Sequence, residues 1–336
     1  MNKPSYSPTL AVIIVNYKTR DLLRNCLHSV LASVNLSDLD TSILVVDNAS
    51  EDGSVEMIST EFPQVELIAL DENVGFTAAN NLALKQLGLL ETEFSKKDLV
   101  SDTDYIFLLN PDTELVDDAL GQLVNFMEQT PQAGMCGAHL QYGSGDFQHG
   151  AFRFPSLAQV ALDFFPLTTL RGSHRLHNGR INGRYPSHLW QGGQPFEVDF
   201  VLGATMMARS HAIQEVGGLD EGFFMYCEEM DWCMRLAQAG WSTYSVPTAH
   251  VIHYEAQSSR QVRWPAYVQL WRSRLRFYAK HRAYYPAGYA RWVRWLVQIG
   301  ITSQRYQANR RFARDELLED ELTVELEAYD EVMAML

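Results

Sequence analysis

Three short stretches of this 336-residue chain set carboxylates and carboxamides directly after runs of apolar, β-branched residues. The run Ser42-Ile-Leu-Val-Val46 ends at Asp47, and Asn48-Ala49-Ser50-Glu51-Asp52-Gly53-Ser54 follows. A carboxylate there can accept hydrogen bonds from a base or ribose, and the same segment also suits an Asx turn with a helix cap. Next, Asn73-Val74-Gly75-Phe76 opens a helical stretch holding Asn80 and Asn81. Gly75 permits close backbone approach, and a helix N-terminus favours anionic groups. The two asparagines are poor helix formers, which fits ligand contact or capping. Third, Asp104-Tyr-Ile-Phe-Leu-Leu109 ends at Asn110-Pro111-Asp112-Thr113-Glu114. Hard cations such as Mg2+ and Mn2+ take oxygen ligands and share them with phosphates, so Asp112 on a turn stiffened by Pro111 can hold one. A plain turn is the alternative.

A fourth cluster, Glu228-Glu229-Met230-Asp231, has the makings of an acid/base centre. Three carboxylates at a helix start are favoured by the helix dipole, so a solvated acidic first turn is one reading. The neighbours Phe223, Phe224, Met225, Tyr226 and Trp232 favour another, because an apolar setting raises a carboxylate pKa. Such a group can deprotonate a hydroxyl as it attacks. Asp231 and Arg235, four apart on a helix, suit an ion pair. In Val251-Ile252-His253 the histidine ends a strand-like run, whereas alternation turns His250 to the other side.

The elements that must position these residues alternate strand and helix, which predicts an α/β fold with a mainly parallel sheet. Expected strands are Leu10–Val15, Ser42–Val46, Val65–Leu70, Asp104–Leu109 and Ala133–Leu140, with helices over 19–31, 76–87 and 116–129 between them. Residues 88–103 read as a polar surface insertion, and 141–195 as long loops with short strands. Trp190 in that region suits a sugar-stacking surface or the core. Two short strands are expected around Gly203, then a helix over 228–239 and strands near 241–246 and 251–254. Ligands of open α/β sheets bind beyond the carboxyl ends of the strands, where the acidic and amide clusters fall.

Taken together, Ile14-Val15-Asn16-Tyr17, Val45-Val46-Asp47-Asn48-Ala49-Ser50, Asn73-Val74-Gly75-Phe76 and Leu109-Asn110-Pro111-Asp112 resemble the inverting family 2 glycosyltransferases of GT-A fold, a Rossmann-like sheet with helices on both faces. The bacterial branch with rhamnosyl- and galactofuranosyltransferases is the nearest in pattern. Further matches are Val201–Arg209, Glu215–Asp220, Phe223–Arg235, Val251–His253 and Ser258, so the resemblance runs over roughly residues 9–283. It implies that Asp47 binds the nucleobase of a nucleoside-diphosphate sugar. Asn16, Asn73, Gly75, Asn80, Asn110, Asp112 and Gly203 would line the same donor site. Asp112 would be the last acid of the family's Asp-x-Asp motif, with Asn110 in place of the first. His253 would then join Asp112 on Mg2+ or Mn2+, unless it is a structural histidine. Glu229 stands where relatives carry the catalytic base, usually an aspartate, with Asp231 and Glu228 as alternatives. Arg153-Phe154-Pro155 resembles a segment near the donor diphosphate. The implied reaction moves a sugar, L-rhamnose from dTDP-rhamnose first and a UDP-sugar second, to a saccharide or lipid-linked hydroxyl in cell-envelope polysaccharide synthesis. The alternatives are an inactive nucleotide-sugar-binding relative and a sugar-1-phosphate nucleotidyltransferase, whose glycine-rich loop is missing from Asn16-Tyr17-Lys18-Thr19-Arg20.

Charge is distributed unevenly. Residues 1–255 carry 14 Lys/Arg against 32 Asp/Glu, residues 256–314 carry 13 Lys/Arg and no acid, and residues 315–336 carry nine acids and no base. The expected organisation is a transferase domain over 1–258, with a nucleotide-binding half about 9–140 and an acceptor half about 141–258. A basic aromatic arm over 259–314 and an acidic tail over 315–336 follow. Basic residues interleaved with Trp and Tyr suit an anionic membrane surface; packing on the tail or an oligomer contact is the alternative. No nucleic-acid module accompanies them. The four cysteines have no metal-ligand spacing and suit free thiols in a reducing cytoplasm. A signal peptide and a membrane-spanning run are not expected.

Overall fold

The computed structural model describes residues 8–37, 39–91, 102–165, 179–254 and 263–336. Its chain divides into two compact units, one of Met1–Phe152, Ser187–Phe224 and Glu228–Ser258, the other of Arg153–Pro186, Met225–Cys227 and Ser259–Leu336. Residues 153–186 thus group with the C-terminal helices, and the basic arm and acidic tail belong to one unit.

In the first unit β1 (Thr9–Asn16), β2 (Asp40–Asp47), β3 (Glu66–Ala69) and β4 (Tyr105–Leu109) pair in parallel in the order β3-β2-β1-β4. Leu10–Val15 and all of β4 are buried, as the unbroken apolar runs require of strands covered on both faces. The crossovers are α1 (Arg20–Ser37), α2 (Ser54–Glu61) and α3 (Phe76–Gln86). α1 buries Leu23, Cys26, Leu27 and Val30 along one stripe and runs past its expected end at Leu31. The short β5 (Thr113–Leu115) leads to α4 (Ala119–Gln129), whose cap Asp118 accepts from Gly121 N.

The sheet continues through β6 (Ala133–Gln141), with the short β7 (Phe147–Gln148) folded back against it as a hairpin and β8 (Ala151–Phe152) outside it. Where two strands were expected around Gly203 there are three: β9 (Phe196–Val198), β10 (Phe200–Val201) and β11 (Thr205–Arg209). β11 runs antiparallel between β4 and β6. After α6 (His188–Gln191), α7 (Ser210–Val216) and α8 (Glu228–Gln238) comes β12 (Ser242–His253), parallel to β6 and antiparallel to β5. It is one strand rather than two, with its register slipping between Val246 and His250 around Pro247, which cannot donate to a ladder. Most of the expected 88–103 insertion, and Ser258, lie outside the described residues.

The second unit is helical: α5 (Leu157–Phe164), α9 (Arg263–Lys280), α10 (Tyr289–Phe312) and α11 (Glu319–Ala334). A capping box of Ser156 and Gln159 starts α5, and Phe164 near its end stacks on Trp271 at 4.8 Å. The acidic α11 is a partner helix for the basic ones. Glu331 pairs with Arg272, Asp330 with Arg305, and Glu325 with Arg311 at 2.6 Å. All four cysteines are buried free thiols. Among the described residues, no helix is long and apolar enough to cross a membrane.

Candidate active site

Asp47 ends β2 at the carboxyl edge of the parallel strands and is almost wholly enclosed. The Asn16 amide, from the end of β1, donates to Asp47 Oδ1 at 2.7 Å and to the Ser50 and Ser54 hydroxyls, while Ser50 N donates to Asp47 Oδ2 at 3.0 Å. Asn16 also accepts from Thr19 Oγ1 and has no accessible surface. It therefore orients Asp47 from behind rather than facing a ligand, which revises the direct contact that the motif suggested.

A second amide network holds the next loop. Asn48 receives Val74 N and donates to Asn73 Oδ1, which also accepts from Gly75 N, each at 2.9 Å. Gly75 has φ of +87°, and a Cβ there would meet the Phe224 ring at 2.6 Å. Phe224 O accepts from Phe76 N at 3.2 Å. The close approach expected at Gly75 is thus made by Phe224, which also takes one of the N-terminal N–H groups of α3. Asn80 turns back to Phe76 O, and Asn81 grips Leu219 through both its backbone groups as well as Glu221. The side-chain nitrogens of both are engaged within the protein.

The Asn110–Asp112 turn leaves β4 with Asn110 N bonded to Ala204 O. Antiparallel pairing of β5 with β12 sets His253 opposite Thr113, and Tyr254 N donates to Asp112 O. As a result His253 Nε2 lies 3.4 Å from Asp112 Oδ1, both side chains being buried. Behind the ring, His253 Nδ1 is 3.2 Å from Oε1 of the buried Gln148. Gln148 carries no signal in the sequence, since the β6–β7 hairpin alone delivers it. His250, as alternation required, stands away from this pair, its ring tilted against that of His139 with centroids 4.6 Å apart. Among the described residues no group of three or more His, Cys, Asp or Glu side chains forms a metal cage.

At the start of α8, Glu228 is buried and its Oε2 has no hydrogen-bond partner among the described residues. Burial, and then the charge of adjacent Glu229, pushes the Glu228 carboxyl well above the usual glutamate range and favours its neutral form. Glu229 is half-buried. Gly203 faces it: a Cβ on Gly203 would lie 3.9 Å from Glu229 Cβ. Because Asn110 bonds to the neighbouring Ala204, the 202–205 turn lies between the β4 end and Glu229. Tyr226 and Cys227, just before this helix, both have positive φ, +70° and +67°. A pair of non-glycine residues in that region stores strain of the sort found at functional sites.

Asp231 has a different place. It has no accessible surface and binds Arg235 Nε at 2.8 Å, while the same guanidinium donates to Val216 O and Gly218 O. An enclosed carboxylate on an arginine cannot reach an acceptor hydroxyl, so Asp231 positions the 216–218 turn and is set aside as a base. Trp190 is buried among Phe147, His149 and Phe196, which makes it core rather than a stacking surface. Arg153 belongs to the second unit and lies over the Tyr185 ring at 4.8 Å.

Comparison with known proteins bears on the family and the fold. Residues 8–272 match the family model described as glycosyltransferase like family 2. The chain is 29% identical over 235 residues to an N-acetylglucosaminyl-diphospho-decaprenol L-rhamnosyltransferase of Mycobacterium tuberculosis, covering 68% of this chain and 72% of that one. It is 26% identical over 273 residues to the rhamnosyltransferase WbbL of Escherichia coli K12, covering 81% and 93%. In fold it is similar to the mannosyltransferase PcManGT from Pyrobaculum calidifontis, solved with GDP-Man and Mn2+, at a TM-score of 0.54 and 14% identity over 98% of this chain and 87% of that one. With a family match over most of its length and a sheet of this topology, the chain belongs to glycosyltransferase family 2 and has the GT-A fold.

Proposed function

We propose that this enzyme moves a sugar, with inversion, from a nucleoside diphosphate to a hydroxyl of a saccharide or lipid-linked acceptor in cell-envelope polysaccharide synthesis. dTDP-L-rhamnose is the first donor and a UDP-sugar the second; the rhamnosyltransferase relatives support that order. The buried free thiols support a reducing, cytoplasmic setting.

The observation that carries the proposal is the Glu228–Glu229 pair. Burial pushes the Glu228 carboxyl towards its neutral form, and Glu229 beside it is half-buried and faces Gly203. Glu229 takes the proton of the acceptor hydroxyl as its oxygen bonds to the anomeric carbon. The bond from that carbon to the diphosphate breaks on the opposite side, and the nucleoside diphosphate leaves with the electron pair. Asp47, held rigid by Asn16 and Ser50, binds the nucleoside. Gly203 keeps the space in front of Glu229 open.

Asp112 and His253 fit a divalent cation, Mg2+ or Mn2+. With Nδ1–H donated to Gln148 Oε1, the His253 Nε2 lone pair faces the Asp112 carboxylate at 3.4 Å, and two lone-pair donors so placed call for a cation or proton between them. The ion would supply neutralisation of the leaving diphosphate. The test is a panel of dTDP-rhamnose, UDP-sugars and GDP-mannose with Mn2+ or EDTA, scored for nucleoside diphosphate release. Release from one donor, lost with EDTA and restored by Mn2+, is expected. Donor binding without any release would favour an inactive relative, and no binding at all would overturn the proposal.

A further inference from the structure

We propose that the outward face of α10 lies on an anionic lipid bilayer, with Trp292, Trp295, Ile299 and Tyr306 at the headgroup boundary and Arg291 and Arg310 on lipid phosphates. This goes beyond sugar transfer and does not depend on the donor. The helix has two opposed faces. Val293, Val297, Gly300, Ile301 and Ala308 are buried and, at about 100° per residue, share one side. The exposed set Trp292, Trp295, Ile299 and Tyr306, spaced three, four and seven apart, falls on the side opposite. Trp292 is 57% exposed and Trp295 50%, with their rings edge to face at 5.7 Å. Over about 20 Å of helix this sets three aromatic side chains and Ile299 on one exposed side, with the two tryptophans in contact, whereas exposed apolar residues of a monomer are normally scattered.

The charges choose the occupant. Tyr289–Phe312 contains no acid. Arg305 and Arg311 are neutralised by Asp330 and Glu325 of α11, and Arg294 donates to the Leu336 carbonyl. The acidic tail therefore removes much of the positive charge that the basic arm offered a membrane in sequence. Among the described residues Arg291 and Arg310 have no acidic partner, and they bracket the exposed aromatic side, Arg310 lying over the Tyr306 ring at 5.8 Å. A second copy docking face to face would press this cationic side against itself. Trp and Tyr rings suit the headgroup layer, arginine suits lipid phosphate, and a helix with an exposed aromatic and cationic side suits a bilayer surface.

Flotation of the full chain with vesicles of phosphatidylcholine alone, or mixed with equal phosphatidylglycerol, tests this. The chain should float with the anionic vesicles and release at high salt. Trp292→Glu/Trp295→Glu should lower binding at least about tenfold, and Trp292→Ala/Trp295→Ala should lower it less. Both should keep the circular dichroism and Tm of the parent, because the side chains are exposed. Arg291→Glu/Arg310→Glu should abolish the preference for anionic lipid. If the parent chain does not float, or the tryptophan variants float equally well, the proposal is wrong. It is also wrong if sedimentation shows a dimer that these variants dissociate while the dimer ignores vesicles.

Discussion

His253 Nε2 stands 3.4 Å from Asp112 Oδ1 because β5 and β12 pair in the register that sets His253 opposite Thr113. Two residues far apart in sequence are thereby brought together as the pair proposed to hold the cation. Gln148, behind the ring, fixes which nitrogen points forward.

Gln148→Leu should therefore weaken Mn2+ binding in the presence of nucleoside diphosphate by about ten- to a hundredfold, and His253→Ala by at least as much. Isothermal titration with Mn2+ reads both. An unchanged affinity in His253→Ala would remove the histidine from the ion.

Asn16→Ala should be costly because the side chain is wholly buried in a hydrogen-bond network. It strips a buried partner from Asp47, Ser50, Ser54 and Thr19 together, and a loss of about 2–3 kcal/mol in urea unfolding is expected. Asp47→Ala should instead lower donor affinity with its binding heat. If Asn16→Ala unfolds like the parent, the network does not hold the loop.

Glu228 gives a pH signature. Its folded-state pKa is raised above 4.5 by burial and by Glu229, so the folded protein holds a proton that the unfolded chain loses. This contribution is fully present below 4.5 and is lost as pH rises through the higher folded value. Glu228→Gln removes the titration. Its Tm should rise relative to the parent as pH goes from acid to neutral and beyond, and a constant difference would contradict the assignment.

Gly203→Val should fill the space in front of Glu229. Turnover should fall by about tenfold or more while donor affinity holds, since a displaced reacting group costs rate before binding. Equal loss of both would show that Gly203 serves the donor instead.

Much of this arrangement is legible in the sequence, for physical reasons. β1, β2 and β4 announce themselves because strands covered on both faces must be continuously apolar, and the polar residues that end them then mark the ligand edge. What escapes is whatever depends on pairing between distant segments. Thr113–Leu115 is too short to read as a strand, yet its pairing with β12 brings Asp112 to His253. Phe224 at Gly75 and Gln148 at His253 are likewise contacts made by the fold alone. Asn16 and Asp231 look like ligand or acid/base residues by type, and burial turns both into supports. The charge asymmetry of the C-terminal region was plain, but only the helix faces separate arginines paired with α11 from the pair flanking the exposed aromatic side.

The most direct test of the proposed chemistry is single-turnover transfer by Glu229→Gln, with donor affinity measured separately by titration. Turnover should fall by about 100-fold or more with donor affinity unchanged, as removal of a general base requires. Transfer at the parent rate would contradict Glu229 as the base.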